Sequence, residues 1–252
     1  METLPCTLDA LGLAVSTGRV VDFRARRWLR VETSSETVPL IYPTHFENGL
    51  VRWPKANYKK PNSILYNAES ATLMVPAGVY VLVRRFSAKE ERRRLVAAIF
   101  DPEYVPCKVV GFENHVNYFH ERGAPLDRTL AWGLSMFLNC TPLDTYFRQF
   151  NGHTQVNAAD LRKLPYPRAE QLERIADHLG EREYNQSELD EIVEGELFSM
   201  PAKKRGTGVA RHRIDEAADA LTALGLPKEQ TNERAALTLL ALLELSPKQS
   251  WS

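Results

Sequence analysis

The sequence predicts an α+β fold: a strand-rich domain with packed helices, followed by an exit helix and a small all-helical tail. Short β-branched and aromatic runs bounded by Pro, Gly, Asn or Asp dominate the first 110 residues. After residue 127, apolar residues recur at the three-four spacing of amphipathic helices. We therefore predict four parts: the strand-rich domain (1–167), the exit helix with an acidic helical segment (168–198), a basic linker (199–212) and the helical tail (213–252).

The clearest strand pair covers residues 79–86 and 92–100. Residues 87–91 between them suit a hairpin loop, so two arginine-rich strands are expected to lie side by side. Further strands are expected at 38–43 and 72–75. If residues 113–120 form a single strand, alternate side chains point to opposite faces, and its two histidines cannot share a metal ion.

Helices are expected in the second half of the chain. The apolar spacing over residues 127–148 predicts one or two helices packed on the sheet. Asn157, three residues before Asp160, is typical of a helix N-cap, and the following Leu-Pro-Tyr-Pro must end that short helix. The pattern over residues 169–179 predicts the exit helix, with Gly180 as its C-cap. Two tail helices are expected at about 214–224 and from about 232.

Composition excludes several classes of protein. With 44% hydrophobic and 25% charged residues, the 252-residue chain has the balance of an ordinary globular protein. It has no apolar run of the roughly 20 residues that a membrane span needs, and no signal pattern, so we expect a cytoplasmic protein without a membrane partner. Three scattered cysteines favour reduced thiols over a disulfide framework or a zinc site.

Charge is segregated along the chain although the net charge is zero. Residues 52–60 and 84–94 are basic, residues 170–196 are mostly acidic, and residues 203–213 are basic again. This pattern suits a protein that meets a polyanion on one surface only.

Residues 150–157 place Asn, His and Gln side chains beside a glycine, and such groups can bond to the edges of adenine or guanine. Basic side chains in nearby loops can hold phosphates. The candidate DNA contacts are the basic, amide and imidazole side chains Lys55, Asn57, Lys59, Lys60, Asn62, Arg84, Arg85, Lys89, Asn114, His115, Asn117, Arg148, Gln149, Asn151, His153 and Gln155.

Three strings carry a family resemblance: VLVRRFSAKEERRRLVAAIF, VGFENHVNYFH and FNGHTQVNAADLRKLPYP. In this order they resemble the C-terminal target-recognition region of type II adenine-N6 DNA methyltransferases from bacterial restriction-modification systems, over roughly residues 8–175. The resemblance implies that residues 1–167 recognise a site in duplex DNA. In the tail, GLPKEQTNERAALTLLALLEL resembles the helical segment of PstI-like restriction endonucleases.

The chain lacks the two sequence features of methyl transfer. The first is a glycine-rich loop after a strand, which binds S-adenosylmethionine, and Gly206-Thr207-Gly208 has no strand before it. The second is an Asn/Asp-Pro-Pro-Tyr/Phe loop, and Asp101-Pro102-Glu103-Tyr104 is better explained as a turn. No catalytic, cofactor-binding or metal-binding residue is therefore expected, and the chain alone is predicted to be inactive. S-adenosylmethionine is expected on a missing catalytic domain or a separate methyltransferase catalytic chain.

Two alternatives stay open. The first is an active enzyme: a methyltransferase with degenerate motifs, or a metal-dependent nuclease using His115, Asn117, His120 or His153. No Asp or Glu is followed two residues later by Lys, which disfavours the common nuclease site. The second is a protein-interaction fragment whose tail pairs with a partner helix.

Overall fold

A computed structural model describes residues 1, 4–179 and 184–198. The chain divides into two compact units, Met1–Phe198 and Ser199–Ser252. The predicted linker, tail helices and Gly180 cap lie outside the described residues. The predicted α+β class is confirmed.

The strands of the described residues form two mixed sheets. In chain order they are β1 (Ala14–Thr17), β2 (Leu29–Arg30), β3 (Thr37–Ile41), β4 (Phe46–Glu47), β5 (Leu50–Val51), β6 (Ser63–Leu65), β7 (Met74–Pro76), β8 (Tyr80–Arg84), β9 (Ala97–Phe100), β10 (Val109–Phe112) and β11 (Val116–His120). The six-stranded sheet has the order β1-β11-β8-β9-β5-β4, and the five-stranded sheet has the order β2-β6-β3-β10-β7. Neighbouring strands are antiparallel except for β5 with β9 and β3 with β10.

The α-helices of the described residues are α1 (Asp22–Ala25), α2 (Arg128–Leu138), α3 (Thr141–Phe150), α4 (Ala158–Lys163), α5 (Ala169–Leu179) and α6 (Gln186–Phe198). The helices expected within residues 127–148 are α2 and α3, and the exit helix is α5. Asn157 caps α4 in a capping box, in which its backbone N–H donates to Asp160 Oδ2 at 3.0 Å. Helix α2 meets α5 so closely that a Cβ on Gly133 would lie 1.9 Å from the Leu172 carbonyl oxygen. Only glycine allows that contact.

Strand β8 lies in the middle of the fold, with both faces covered. Val81 and Val83 pack in a core shared with helices α2 to α6, whereas Tyr80 and Leu82 pack in a second core with residues of the five-stranded sheet. Burial on both faces explains why this strand is a continuous apolar run rather than an alternating one. A third core, on the other face of the five-stranded sheet, includes Ala25 of α1.

One expectation about the strands was wrong, and one condition set for them is not met. The predicted β8–β9 hairpin forms, with Tyr80 opposite Phe100, but β9 begins only at Ala97. Arg92, Arg93 and Arg94 therefore lie in the connection and not in a strand. Residues 113–120 are not one strand either, because a turn over 113–115 separates β10 from β11, which belong to different sheets.

Candidate functional site

A buried arginine holds the loop of residues 151–157. Arg94 is 1% exposed, and its guanidinium donates to Ser87 Oγ at 2.9 Å, Asn151 Oδ1 at 3.0 Å and the His153 carbonyl oxygen at 2.5 Å. The Phe147 ring lies 5.7 Å from the guanidinium carbon. A buried guanidinium group is stable only where its N–H groups form hydrogen bonds, so Arg94 has a structural role in the interior. Its guanidinium is therefore not available to a phosphate group.

Asn151 completes this anchor. Its Oδ1 accepts from Arg94 and from the His153 amide at 3.2 Å, and its Nδ2 donates to the Gln155 carbonyl oxygen at 3.2 Å and to Asp160 Oδ2 at 3.0 Å. The side chain is 5% exposed. The donors and the acceptor of the Asn151 side chain thus bond inside the protein. None of them is left for the predicted contact with a base.

Asn62 and Asn117 are committed in the same way. Asn117 is fully buried, donates to the Val156 carbonyl oxygen at 2.7 Å and accepts from Thr17 Oγ1 at 3.0 Å. Asn62 is 8% exposed, and its amide bonds to both the amide and the carbonyl of Lys55, at 2.9 and 3.0 Å. These two predicted contacts are also internal, because burial forces their amides to bond within the chain.

Arg84 and Arg148 shape the connection between β8 and β9. Arg148 donates to Asp144 Oδ2 at 2.8 Å and to the carbonyl oxygens of Lys89 and Glu91 at 2.9 and 2.8 Å. Arg84 forms an ion pair with Glu91, which itself accepts from a backbone amide of the same connection. The bonds of Arg148 to backbone carbonyls and the Arg84–Glu91 ion pair thus fix the backbone that carries the exposed side chains.

The remaining predicted contacts of this region converge on one surface. Arg85 donates to the Asn114 carbonyl oxygen at 3.1 Å and lies 3.5 Å from Gln155 Oε1. Phe86 is 40% exposed, and its ring centroid lies 4.8 Å from that of His115. We call this the loop surface, and it consists of Arg85, Phe86, Lys89, Arg92, Asn114, His115, Gly152, His153, Thr154 and Gln155.

An open cleft of about 630 Å³ lies in the loop surface, lined by Lys89, residues 152–155 and Asn157. Lys89, Arg92 and His153 are exposed, and their side chains make no hydrogen bond or ion pair in the described part of the chain. The cleft therefore combines free positive charge with an imidazole and an amide. Phe86 and Thr154 were not among the predicted contacts, and only their place in irregular loops marks them in the sequence. Arg92 belongs to the basic run of residues 84–94, whose charge suits a polyanion.

A buried carboxyl group orients His115. Glu113 is fully buried, and burial raises the pKa of its carboxyl group. His115 Nδ1 lies 2.7 Å from Glu113 Oε1, while 44% of the His115 side chain is exposed. Since Nδ1 faces Glu113, Nε2 is the ring nitrogen left to a partner.

The predicted contacts of residues 53–62 belong to a different loop. Lys55 donates to the Thr44 carbonyl oxygen at 2.9 Å, and Lys60 Nζ lies 2.5 Å from Asp22 Oδ2. Asn57 and Lys59 are exposed. Gln149 is also exposed but lines a separate cleft with Asp190 and Glu194, so it is not part of the loop surface.

The other motifs have structural roles. Asp101 begins a turn after β9, as predicted: its Oδ1 accepts from the Glu103 amide at 2.9 Å, and its Oδ2 lies 3.0 Å from Arg128. His120 is 8% exposed, with Nδ1 accepting from the Gly123 amide at 2.8 Å and Nε2 lying 2.9 Å from Ser16 Oγ. Over residues 1, 4–179 and 184–198, His, Cys, Asp and Glu side chains nowhere form a group of three or more that could hold a metal ion.

Within the same ranges, no helix has the length and apolar character needed to cross a membrane.

Comparison with known proteins identifies relatives for most of the chain. It is 53% identical over 197 residues to the type II methyltransferase M.PstI of Providencia stuartii, and 49% identical over 161 residues to the type II methyltransferase M.BsuBI of Bacillus subtilis. The alignments cover 78% and 64% of this chain but 39% and 32% of the relatives. The chain thus spans less than half the length of the curated relatives it matches.

The C-terminal residues match a different family. Residues 211–252 match the BsuBI/PstI restriction endonuclease HTH domain. The similarity to type II methyltransferases and the endonuclease-like character of the tail, both indicated by the sequence, are confirmed. Together they connect the chain with restriction-modification proteins.

Proposed function

We propose that residues 1–167 form a DNA target-recognition domain of an adenine-specific methyltransferase from a type II restriction-modification system. The observation that carries this proposal is the loop surface, where exposed Lys89 lines a cleft with exposed His153 and half-buried Gln155. Exposed Arg92 follows in the same connection, and within the described residues neither cation forms an ion pair. The partly exposed ring of His115 belongs to the same surface. Such a combination suits duplex DNA, in which phosphates attract cations and base edges accept or donate hydrogen bonds. The similarity to two type II methyltransferases supports the same function.

The two kinds of side chain have separate tasks in this proposal. Lys89 and Arg92 bind phosphates and set the register of the duplex without reading its sequence. His153 and Gln155 reach base edges in the major groove, and His115 Nε2 adds a third contact. The buried Arg94 and Asn151 hold the loop in its binding conformation before DNA arrives, which lowers the entropy lost on binding.

Methyl transfer itself is proposed to lie on polypeptide outside this sequence, either a further catalytic domain or a separate methyltransferase catalytic chain. The missing glycine-rich loop and Asn/Asp-Pro-Pro-Tyr/Phe motif support that assignment. S-adenosylmethionine would bind there. The match of residues 211–252 to an endonuclease HTH domain supports DNA as a partner of this chain as well.

Salt-dependent binding to duplex DNA tests the proposal. Affinity of the full chain for a 30-base-pair duplex of random sequence is measured by fluorescence anisotropy at several salt concentrations. Each lost phosphate contact should lower the slope of log K against log salt by about 0.9. We therefore expect Lys89→Ala with Arg92→Ala to reduce the slope by about 1.8, whereas Lys108→Ala with Arg168→Ala, two exposed side chains outside the loop surface, leaves it unchanged.

Residues 211–252 match an HTH domain, so DNA binding by the wild-type chain does not by itself show that the loop surface binds DNA. An unchanged slope in the Lys89 and Arg92 variant would contradict the proposal. Calorimetry with S-adenosylmethionine tests whether this chain itself carries the cofactor site. We expect no binding. Clear micromolar affinity would instead favour an active methyltransferase.

A further inference from the structure

Helix α1 carries an exposed aromatic ring among arginines. Phe23 is 76% exposed, the largest value for any large apolar side chain of the described residues. The arginines of this segment are all exposed, namely Arg24, Arg26, Arg27 and Arg30. In the described fold the Arg24 guanidinium lies beside this ring, and most of the ring remains open to solvent.

Much of this positive charge is not neutralised locally. Asp22, the acidic residue of α1, is occupied by Tyr42 Oη at 2.7 Å and by Lys60 Nζ at 2.5 Å. The Arg24 guanidinium carbon lies 5.4 Å from the Phe23 ring centroid. Neither Arg24 nor Arg26 has a carboxylate partner in the described part of the chain. Free guanidinium groups beside an exposed ring are typical of a surface that binds nucleic acid.

The backbone places α1 next to the loop surface. The Asn114 amide donates to the Val20 carbonyl oxygen at 2.8 Å, so the segment leading into α1 runs along the turn over 113–115. The approach is so close that a Cβ on Gly18 would lie 2.1 Å from the Glu113 carbonyl oxygen. On its other side, the Lys60–Asp22 ion pair joins α1 to the loop of residues 53–62, which exposes Lys59. Backbone and ion-pair contacts thus connect the turn over 113–115, α1 and the loop that exposes Lys59.

We propose that Phe23, flanked by Arg24 and Arg26, contacts the flank of the same DNA duplex that the loop surface binds. The two arginines bind phosphates, and the ring inserts as an apolar wedge between base steps of the minor groove, as exposed aromatic side chains of DNA-binding proteins do. This inference rests on the proposed function and enlarges its binding site by a third segment. Because the ring is exposed, its removal should leave folding intact.

The test compares variants of α1 with the full chain, again on the random 30-base-pair duplex. Phe23→Ala should weaken binding by about fivefold or more, the usual cost of losing a base-stacking ring, without changing the salt slope. Phe23→Trp should restore binding. Arg24→Ala with Arg26→Ala should lower the salt slope by about 1.8, and the Lys108 and Arg168 variant is the control. Thermal unfolding should be the same for all of them.

A duplex carrying 2-aminopurine reports insertion directly, since its fluorescence rises when a base step is unstacked. The rise should be present with the wild-type chain and absent with Phe23→Ala. If the α1 variants bind like the wild type while the Lys89 and Arg92 variant is weakened, the inference fails and the proposed function stands. If neither set differs from the wild type, both fail, and a protein partner for α1 becomes the better explanation.

Discussion

The loops of residues 151–157 and 53–62 are built alike and anchored differently. Each turns around one buried asparagine, Asn151 or Asn62, whose amide bonds back to its own loop. In the first loop that asparagine is held by charged groups, Arg94 and Asp160. In the second it accepts from neutral groups, His45 and the Lys55 amide.

This difference determines which of the two loops responds to pH. Arg94 keeps its charge at any ordinary pH, so its hydrogen bonds to Asn151 and to the His153 carbonyl oxygen persist. His45 is 1% exposed, accepts from the Tyr42 amide at Nδ1 at 3.0 Å, and has Nε2 lying 3.2 Å from Asn62 Oδ1. Protonation of His45 would break the bond at Nδ1. The 53–62 loop is therefore the one that acid should loosen.

The largest expected effect comes from removing the charged anchor. Arg94→Leu leaves Ser87, Asn151 and the His153 carbonyl buried without their partner, and we expect it to lower the free energy of unfolding by about 3 to 5 kcal/mol. Arg92→Ala, two residues away and exposed, should cost less than about 0.5 kcal/mol. Urea unfolding measures both. Equal small losses would show that the buried network contributes little to stability.

A smaller effect is expected at the neutral anchor. Burial lowers the pKa of His45 in the folded chain below 6.5, the usual value, which applies to the unfolded chain. At a pH between the folded and the unfolded pKa, the unfolded chain therefore binds more protons than the folded one. Stability should therefore be full above pH 6.5 and fall as the pH drops below it. His120, whose pKa burial also lowers, adds to the same trend. In thermal unfolding between pH 7 and pH 5.5, His45→Gln should show a weaker pH dependence than the wild type, and an identical dependence would contradict this explanation.

Sequence patterns were sufficient where structure is locally determined. The β8–β9 hairpin, the helices α2, α3 and α5 and the cap at Asn157 follow from apolar spacing and short-range hydrogen bonds. The continuous apolar run of β8 also marks burial on both faces, although only the fold shows which layers cover it.

Side-chain direction in the loops was not predictable in the same way. Arg92, Arg93 and Arg94 are consecutive and chemically identical, yet the first is exposed, the second half-buried and the third buried. They lie in an irregular connection, where no period assigns faces. The roles of Asn62 and Asn151 depend on distant partners, and an amide that can bond to a base edge can equally bond to a backbone group.

In the proposed function the loop surface, and specifically His153 and Gln155, reads DNA sequence. Selection of preferred sites from a pool of random duplexes, followed by sequencing, tests it most directly. We expect His153→Ala and Gln155→Ala each to lose the preference of the wild-type chain while keeping its affinity for random DNA within about threefold. Gln149→Ala, an exposed amide outside the loop surface, should keep the preference. An unchanged preference in both loop variants would contradict the claim.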